Sequence, residues 1–563
     1  MANAIEQLDA KIAELLASWN GYTTVIAIVL AAFVIYPLLV WEEADTHPLL
    51  LARQAQTSPV RYAGESAVYR SAEVPYGYPL RTGLNVRTAG APKWTAGRDG
   101  DFRDIWREFV MPTHPDLEGS PASAIMTIHG SESAVEHGPA QITKAINVIG
   151  KLLQQTRATR VAIYLPNSVE YLSAVFACAF YGLSPILIPY NQPHDVVLQW
   201  LNEAGADALI AGAGSLPLLE LSKNVPKLSQ LIWVVEKSSR HMDWDGTPES
   251  AAGNLSVAVW HDLLEQANGT DSTDLPTTDE PLGSVTTFWQ EETGGPARLV
   301  EFTQKNLISA IAAMISAIPA RQRLNPSDLV LPADTFSSTY VLCQTMAALF
   351  QHASLVLNSV AGPGVDLALA SRGVSPTVII ASSETLANLH SSEVSQMSSG
   401  LGKLAYMSQV QAMRAGRMPG SSLLFRPFAP KGYAIGNSPG KLRLIFASAK
   451  IGAKSTALTT ATLSDLRIIT RSRICYALTA PTVAGAISQT NLYDYRTDGR
   501  SDTHFGALLS SVEVKLTDKD DRNIEGGGSP KGEIVVMGPA ICGGETKLGV
   551  RCNFRQDCTL GYA

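Results

Sequence analysis

The residues best placed to do chemistry lie in residues 288–307, FWQEETGGPARLVEFTQKNL. A short apolar strand over 283–289 runs into a Thr-Gly-Gly-Pro turn, a polar strand follows, and a helix starts near 305–308. Glycines let backbone N–H groups approach phosphate oxygens closely, so Thr293, Gly294, Gly295 and Pro296 read as a phosphate-holding loop. The same composition makes an ordinary hairpin turn, and the local sequence leaves both readings open.

The elements around the loop decide what it can be part of. Strands are expected over 124–129, 160–166, 185–189, 208–211 and 231–235, and helices over 143–156, 168–181 and 194–203, with Asn167 capping the second helix. Near-continuous apolar strands alternating with helices indicate an α/β fold whose parallel sheet is covered on both faces. A short helix over 101–111 opens the folded region, and residues 42–104, rich in Pro and Gly, read as a linker that wraps onto it.

At 563 residues the chain is too long for one simple core. Its net charge of -7, from 44 basic and 51 acidic residues with no basic tract, argues against a nucleic-acid partner. The cysteines Cys178, Cys343, Cys475, Cys542, Cys552 and Cys558 show no zinc-like spacing and read as free, mostly buried thiols.

Residues 1–21 place Ile5, Leu8, Ile12, Leu15, Leu16 and Trp19 at helical spacing, an amphipathic helix that rests on a membrane, pairs with a second copy or is simply solvated. Residues 22–41, YTTVIAIVLAAFVIYPLLVW, carry no charge. At about 1.5 Å per residue such a helix spans roughly the 30 Å of a bilayer core, so a single transmembrane helix is expected here. Arg53 and Arg61 beyond it lean towards a cytosolic globular region at an intracellular membrane such as the endoplasmic reticulum.

From residue 105 onwards the chain resembles the acyl-adenylate-forming superfamily: acyl-CoA synthetases, adenylation domains and luciferases. The likeness runs through RVAIYLPNSVEYLSAVFACAFYGLSPILIPYN, the 288–307 loop, KLRLIF at 441–446, YALTA at 476–480, and VEV and GEIVVMGP at 512–514 and 532–539. It implies an AMP-binding adenylation fold of two α/β lobes and a small β-barrel-like lobe over 105–563, behind the transmembrane helix. The family's mobile C-terminal domain of about a hundred residues is not represented before Ala563. The implied activity is ATP-dependent activation of a carboxylic acid, here a hydrophobic one at the bilayer, through acyl-AMP, with Mg2+ and then CoA.

The resemblance also assigns residues. Thr293, Gly294, Gly295 and Pro296 would bind the nucleotide, and Arg298 would stand in for the lysine that relatives carry after the proline. Ala447, Ser448 and Ala449 would line the adenine, with Lys450 beyond them solvated. Tyr476 would stack on the ring and Thr479 would hydrogen-bond the α-phosphate. Five positions depart from the pattern. Gln290, Glu291 and Glu292 replace small residues, Thr335 stands where relatives have a histidine, and Ala480 replaces the glutamate that ligates magnesium. These departures imply the alternative of a catalytically inactive scaffold that binds an acyl group or nucleotide, or of a truncated gene product.

Overall fold

The computed structural model describes residues 13–14, 17–40, 43–88, 90–92, 94–112, 123–129, 133–235, 255–267, 274, 280–291, 295–393, 400–419, 435, 441–453, 457–496, 504–518 and 529–563, without the side chains of 33, 35–40, 129, 133, 400–402, 404 and 405. It divides into two compact units, Met1–Asp45 and Thr46–Ala563.

In the first unit, residues Gly21–Val40 form one helix. Asn20 starts it by accepting the backbone N–H of Tyr22 at 3.0 Å and of Thr23 at 3.1 Å. The apolar side chains of Val25, Ile26, Ile28, Val29, Leu30 and Val34 are all exposed. Among the described residues, however, no helix is long and apolar enough to cross a membrane. Part of the expected span, the side chains of 33 and 35–40 and all of Trp41, lies outside the described residues. The expected transmembrane helix is therefore matched as a helix and not established as a span. The amphipathic reading of 1–21 falls largely on residues outside the described set.

The second unit holds three sheets. The first runs Ala297–Phe302, Val285–Gln290, Ser184–Leu187, Arg160–Tyr164, Ala208–Gly212, Gln230–Val234 and Ser256–Val259. All its pairings are parallel except the Val285–Gln290/Ala297–Phe302 hairpin at one edge. The second has nine strands in the order Ala507–Leu508, Ser488–Gln489, Arg473–Thr479, Leu444–Lys450, Val378–Ser382, Leu329–Pro332, Ser354–Leu357, Ile125–His129 and Ser133–His137. Its six strands from Arg473–Thr479 to Ile125–His129 are parallel, and the flanking ones are antiparallel. Helices Pro139–Gln155, Val169–Phe180, Gln304–Ser316 and Thr339–Phe350 bury nearly all their apolar residues in one core cluster shared with strands of both sheets. The αβ alternation read from the sequence is thus present, in two sheets.

The small β-rich lobe is a six-stranded antiparallel sheet, Ala55–Thr57, Tyr69–Ser71, Glu513–Thr517, Lys531–Met537, Glu545–Phe554 and Leu560–Tyr562. Its first two strands come from the stretch expected to be a linker. They are held there by the guanidinium of Arg70 on the Glu513 carboxylate and by the Tyr69 ring stacked on Phe554 at 3.6 Å. The helix expected over 101–111 occupies Phe102–Val110, started by Asp101 and Asp104 as a reciprocal capping box.

One local reading is corrected. Ser168, not Asn167, caps the helix Val169–Phe180, its hydroxyl accepting the Tyr171 N–H at 3.2 Å. Asn167 is buried and faces a different segment, which matters for the site. The six cysteines are free, four of them buried.

Candidate functional site

Parallel strands put all their C-terminal ends on one edge of a sheet, and that edge is where α/β folds bind ligands. In the nine-stranded sheet Lys450 and Thr479 end neighbouring strands, paired in register, while Pro332 and Ser382 end the next two. In the seven-stranded sheet the corresponding position is Gln290, which pairs with Ala297 and so closes the loop 291–296.

A direct bond joins the two edges. The Lys450 ammonium donates to the Gln290 carbonyl at 2.8 Å and lies 5.8 Å from the centre of the Trp289 ring. The Gln290 amide donates to the Gly295 carbonyl at 3.0 Å, which ties the loop's far side to its base. A Cβ at Gly452 would sit 3.9 Å from the Glu291 carboxyl carbon, so this glycine lies against the loop's first residue. The loop called a phosphate cradle therefore stands directly beside the 447–450 segment called an adenine loop.

Behind Lys450 lies Asp334, on the turn after strand Leu329–Pro332. Asn167 builds this turn: its amide donates to the Asp334 carbonyl at 2.8 Å and its oxygen accepts the Phe336 N–H at 3.0 Å. Burial pushes the Asp334 carboxyl up to about 6, and Glu384 adds to the rise, while the Thr335 N–H at 2.7 Å and the Lys450 charge oppose it. Lys450 is itself lowered, first by burial, with Asp334 and Glu384 acting the other way. A lysine read from sequence as solvated is in fact an inward-facing member of a charged cluster. The signal was present, since a lysine ending an apolar parallel strand sits on the ligand edge.

The residues assigned by resemblance are brought together unevenly. Thr293, Gly294 and Glu292 lie outside the described residues. Gly295 is half-buried and Pro296 exposed at the end of the loop. Arg298 is exposed and directly opposite Trp289, so its side chain leaves the hairpin on the same face. Ala447 and Ala449 are fully buried, and Ser448 shares a strand face with Lys450. The Thr479 hydroxyl is taken by the Ala449 carbonyl at 2.9 Å. Tyr476 is fully buried, its ring 5.1 Å from that of Phe505 and its oxygen accepting the Leu458 N–H at 2.9 Å, so neither ring face is open for stacking. Burial pushes its hydroxyl up. Thr335 accepts from the Ser337 N–H at 3.2 Å and shares a hydroxyl bond with the same residue at 2.8 Å.

The donors present suit a phosphate chain. The Lys450 amino group donates into the site, Gly295 lies at the far side of the hairpin loop, and the buried indole N–H of Trp289 finds no hydrogen-bond partner among the described residues. A magnesium ion is less well served. Ala480 is fully buried and offers no oxygen, and among the described residues no three His, Cys, Asp or Glu side chains converge as a metal site.

Two largely parallel sheets whose C-terminal strand edges meet at the Lys450–Gln290 bond define an α/β protein with its ligand edge at that point. The chain belongs to the AMP-binding enzyme family, whose model matches residues 140–544. It is 23% identical over 558 residues to the uncharacterized protein YHR045W of Saccharomyces cerevisiae (strain ATCC 204508 / S288c), covering 92% of this chain and 90% of that one. Among solved structures it shares its fold with the anthranilate CoA ligase AuaEII in complex with anthranoyl-AMP, at a TM-score of 0.54 and 16% identity over 84% of this chain and 78% of that one. A long-chain-fatty-acid-CoA ligase of Archaeoglobus fulgidus aligns at a TM-score of 0.55 and 13% identity over 86% of each chain.

Proposed function

We propose that this protein is an adenylate-forming ligase acting on a hydrophobic carboxylic acid. In the reaction a carboxylate oxygen attacks the α-phosphorus of ATP, the bond from that phosphorus to the bridging oxygen breaks, and acyl-AMP and pyrophosphate are formed. A thiol such as CoA would then take the acyl group. The observation that carries the reading is the Lys450–Gln290 bond. It sets the base of the hairpin, Gln290, against the end of strand Leu444–Lys450, at the C-terminal edge of the parallel strands of both sheets. The chain's own groups would bind and orient the phosphates there: Lys450 by charge, Gly295 by close backbone approach and Arg298 from the exposed face of the hairpin. ATP would supply the leaving group.

The hydrophobic character of the acid, and attachment to a membrane, rest on the uncharged helix Gly21–Val40 with its exposed apolar side chains. A bilayer concentrates acids with long apolar tails beside an enzyme tethered to it. Carbonate washing of membranes from cells making the intact chain tests this part, and release into the wash would overturn it.

A second reading, a non-catalytic scaffold that binds nucleotide or acyl ligand, is favoured by specific contacts. Thr479 spends its hydroxyl on Ala449, Tyr476 is sealed in the core, and Ala480 brings no metal ligand. Carboxylate-dependent exchange of pyrophosphate into ATP, run on the intact chain with a panel of fatty and aromatic acids, separates the two. Exchange above background supports the ligase; ATP binding without exchange for any acid supports the scaffold.

A further inference from the structure

A half-buried ammonium held by a single neutral acceptor is incompletely satisfied by the protein. Lys450 has three N–H donors, and its one hydrogen bond within the described residues goes to the uncharged Gln290 carbonyl. It makes no ion pair there: Asp334 and Glu384 act on it through space without touching it. Such an arrangement leaves donors of a partly desolvated cation without a protein partner, which an anion entering the site would supply.

The surroundings indicate which anion. Beside it, 5.8 Å from the ammonium to the ring centre, Trp289 carries a buried indole N–H that finds no acceptor among the described residues. Trp289 and Gln290 form the last two residues before the loop 291–296, and Lys450 is the last residue of its strand. The ammonium thus stands between the base of the hairpin at Gln290 and the end of its own strand. Arg298, the replacement inferred from sequence, shares the Trp289 face but is exposed, where water screens its charge.

We infer that Lys450, with the Trp289 indole N–H beside it, is the principal phosphate-holding cation of this site, supplied from the nine-stranded sheet in place of the lysine absent after Pro296. The inference rests on the nucleotide-binding reading above and adds a residue that reading did not require. It also accounts for a lysine at the end of a strand whose only other polar residue is Ser448, LIFASAK. The carboxylates near it shape its electrostatics: burial lowers Lys450, and Asp334 and Glu384 act against that lowering without forming an ion pair with it among the described residues.

The test measures displacement of a fluorescent ATP analogue from the intact chain in detergent by ATP, AMP and adenosine. Lys450→Met keeps the length of the side chain and removes the charge. It should weaken ATP and AMP about 10- to 100-fold, the usual worth of a hydrogen bond to a charged group, and change adenosine less than about threefold. Lys450→Arg should recover part of the loss, and Trp289→Phe should cost ATP a few-fold with a melting temperature like that of the unaltered chain. Unchanged ATP affinity in Lys450→Met overturns the assignment. So does an equal loss for adenosine, which would mark a structural role, and so does a larger loss in Arg298→Ala than in Lys450→Met. Failure of the intact chain to bind ATP at all overturns the nucleotide reading itself, a result distinguishable from these three.

Discussion

Replacing Asn167 by alanine should loosen one turn and leave the rest of the fold intact. Asn167 is buried, and its side chain makes two close hydrogen bonds to the backbone of a segment far away in sequence, to the Asp334 carbonyl at 2.8 Å and from the Phe336 N–H at 3.0 Å, beside a long one to the Pro332 carbonyl at 3.5 Å. Alanine leaves both backbone groups buried without a partner, at about 1–3 kcal/mol each, so the loss is about 2–6 kcal/mol. For a unit of roughly 500 residues the unfolding entropy is about 1 kcal/mol/K, which makes this a fall of about 2–6 °C in melting temperature. The local effect is larger than the global one. A turn destabilised by about 3 kcal/mol opens about a hundredfold more often, and hydrogen exchange followed by mass spectrometry should show this in the peptide that contains Phe336. Asn167→Asp keeps the acceptor and loses the donor, so it should fall between. Ser168→Ala is the comparison, since it removes only a helix cap worth about 1 kcal/mol and should leave exchange at Phe336 unchanged. A melting shift under about 1 °C in Asn167→Ala, with unaltered exchange at Phe336, would refute the claim that this amide builds the turn.

Three further outcomes follow from the same contacts. The Asp334 carboxyl is raised from 3.8 to about 6, so its contribution to stability is full below the unfolded value and is lost as pH rises through about 6. Asp334→Asn escapes that loss, and its melting temperature should gain on the unaltered chain between about pH 5 and pH 7.5; a constant difference across that range would count against the burial argument. Gly506→Ala should cost about 3 kcal/mol or more, because φ is +72° and the new Cβ would sit 2.2 Å from the Gln489 carbonyl oxygen, whereas Gly543→Ala, with φ +77° and open space, should cost about 1 kcal/mol. Thermal melts of the two variants check this. Native thiol labelling should reach Cys542 and Cys558 well before Cys178, Cys343, Cys475 and Cys552, and burial pushes the thiols of Cys178, Cys343 and Cys475 up, away from the reactive thiolate. Mass mapping of early adducts would settle the order.

The parts of the fold that could be read from sequence were those written locally. The strand over Arg160–Tyr164, the helix His194–Ala204 and the hairpin around the loop 291–296 each carry their own periodicity and turn residues, and each lies close to its expected bounds. Asn167 shows the limit. An Asn before a helix is a cap by every local rule, yet the next residue takes that task and Asn167 reaches a turn 167 positions away. Lys450 shows it again. Nothing within its own stretch tells a solvated lysine from one held over Trp289, because the deciding neighbour comes from another sheet. The strands Ala55–Thr57 and Tyr69–Ser71 were missed for the same reason, since their partners lie at the other end of the chain. Motif order identified the family correctly. The fate of individual side chains, such as the sealed ring of Tyr476 and the committed hydroxyl of Thr479, depended on packing that no motif records.

The six-stranded sheet has a consequence for how the protein is made. Arg70 and its partner Glu513 are separated by 443 positions, so strands made early must wait for strands made late. At ribosomal rates of about 5–20 residues per second, the wait is roughly 20–90 s. During that time Tyr69 lacks Phe554, and the strand edge it belongs to is open to other chains. A chaperone engaged with residues near 55–71 on stalled nascent chains, and released once residue 517 has emerged, would be the cellular mark of this topology.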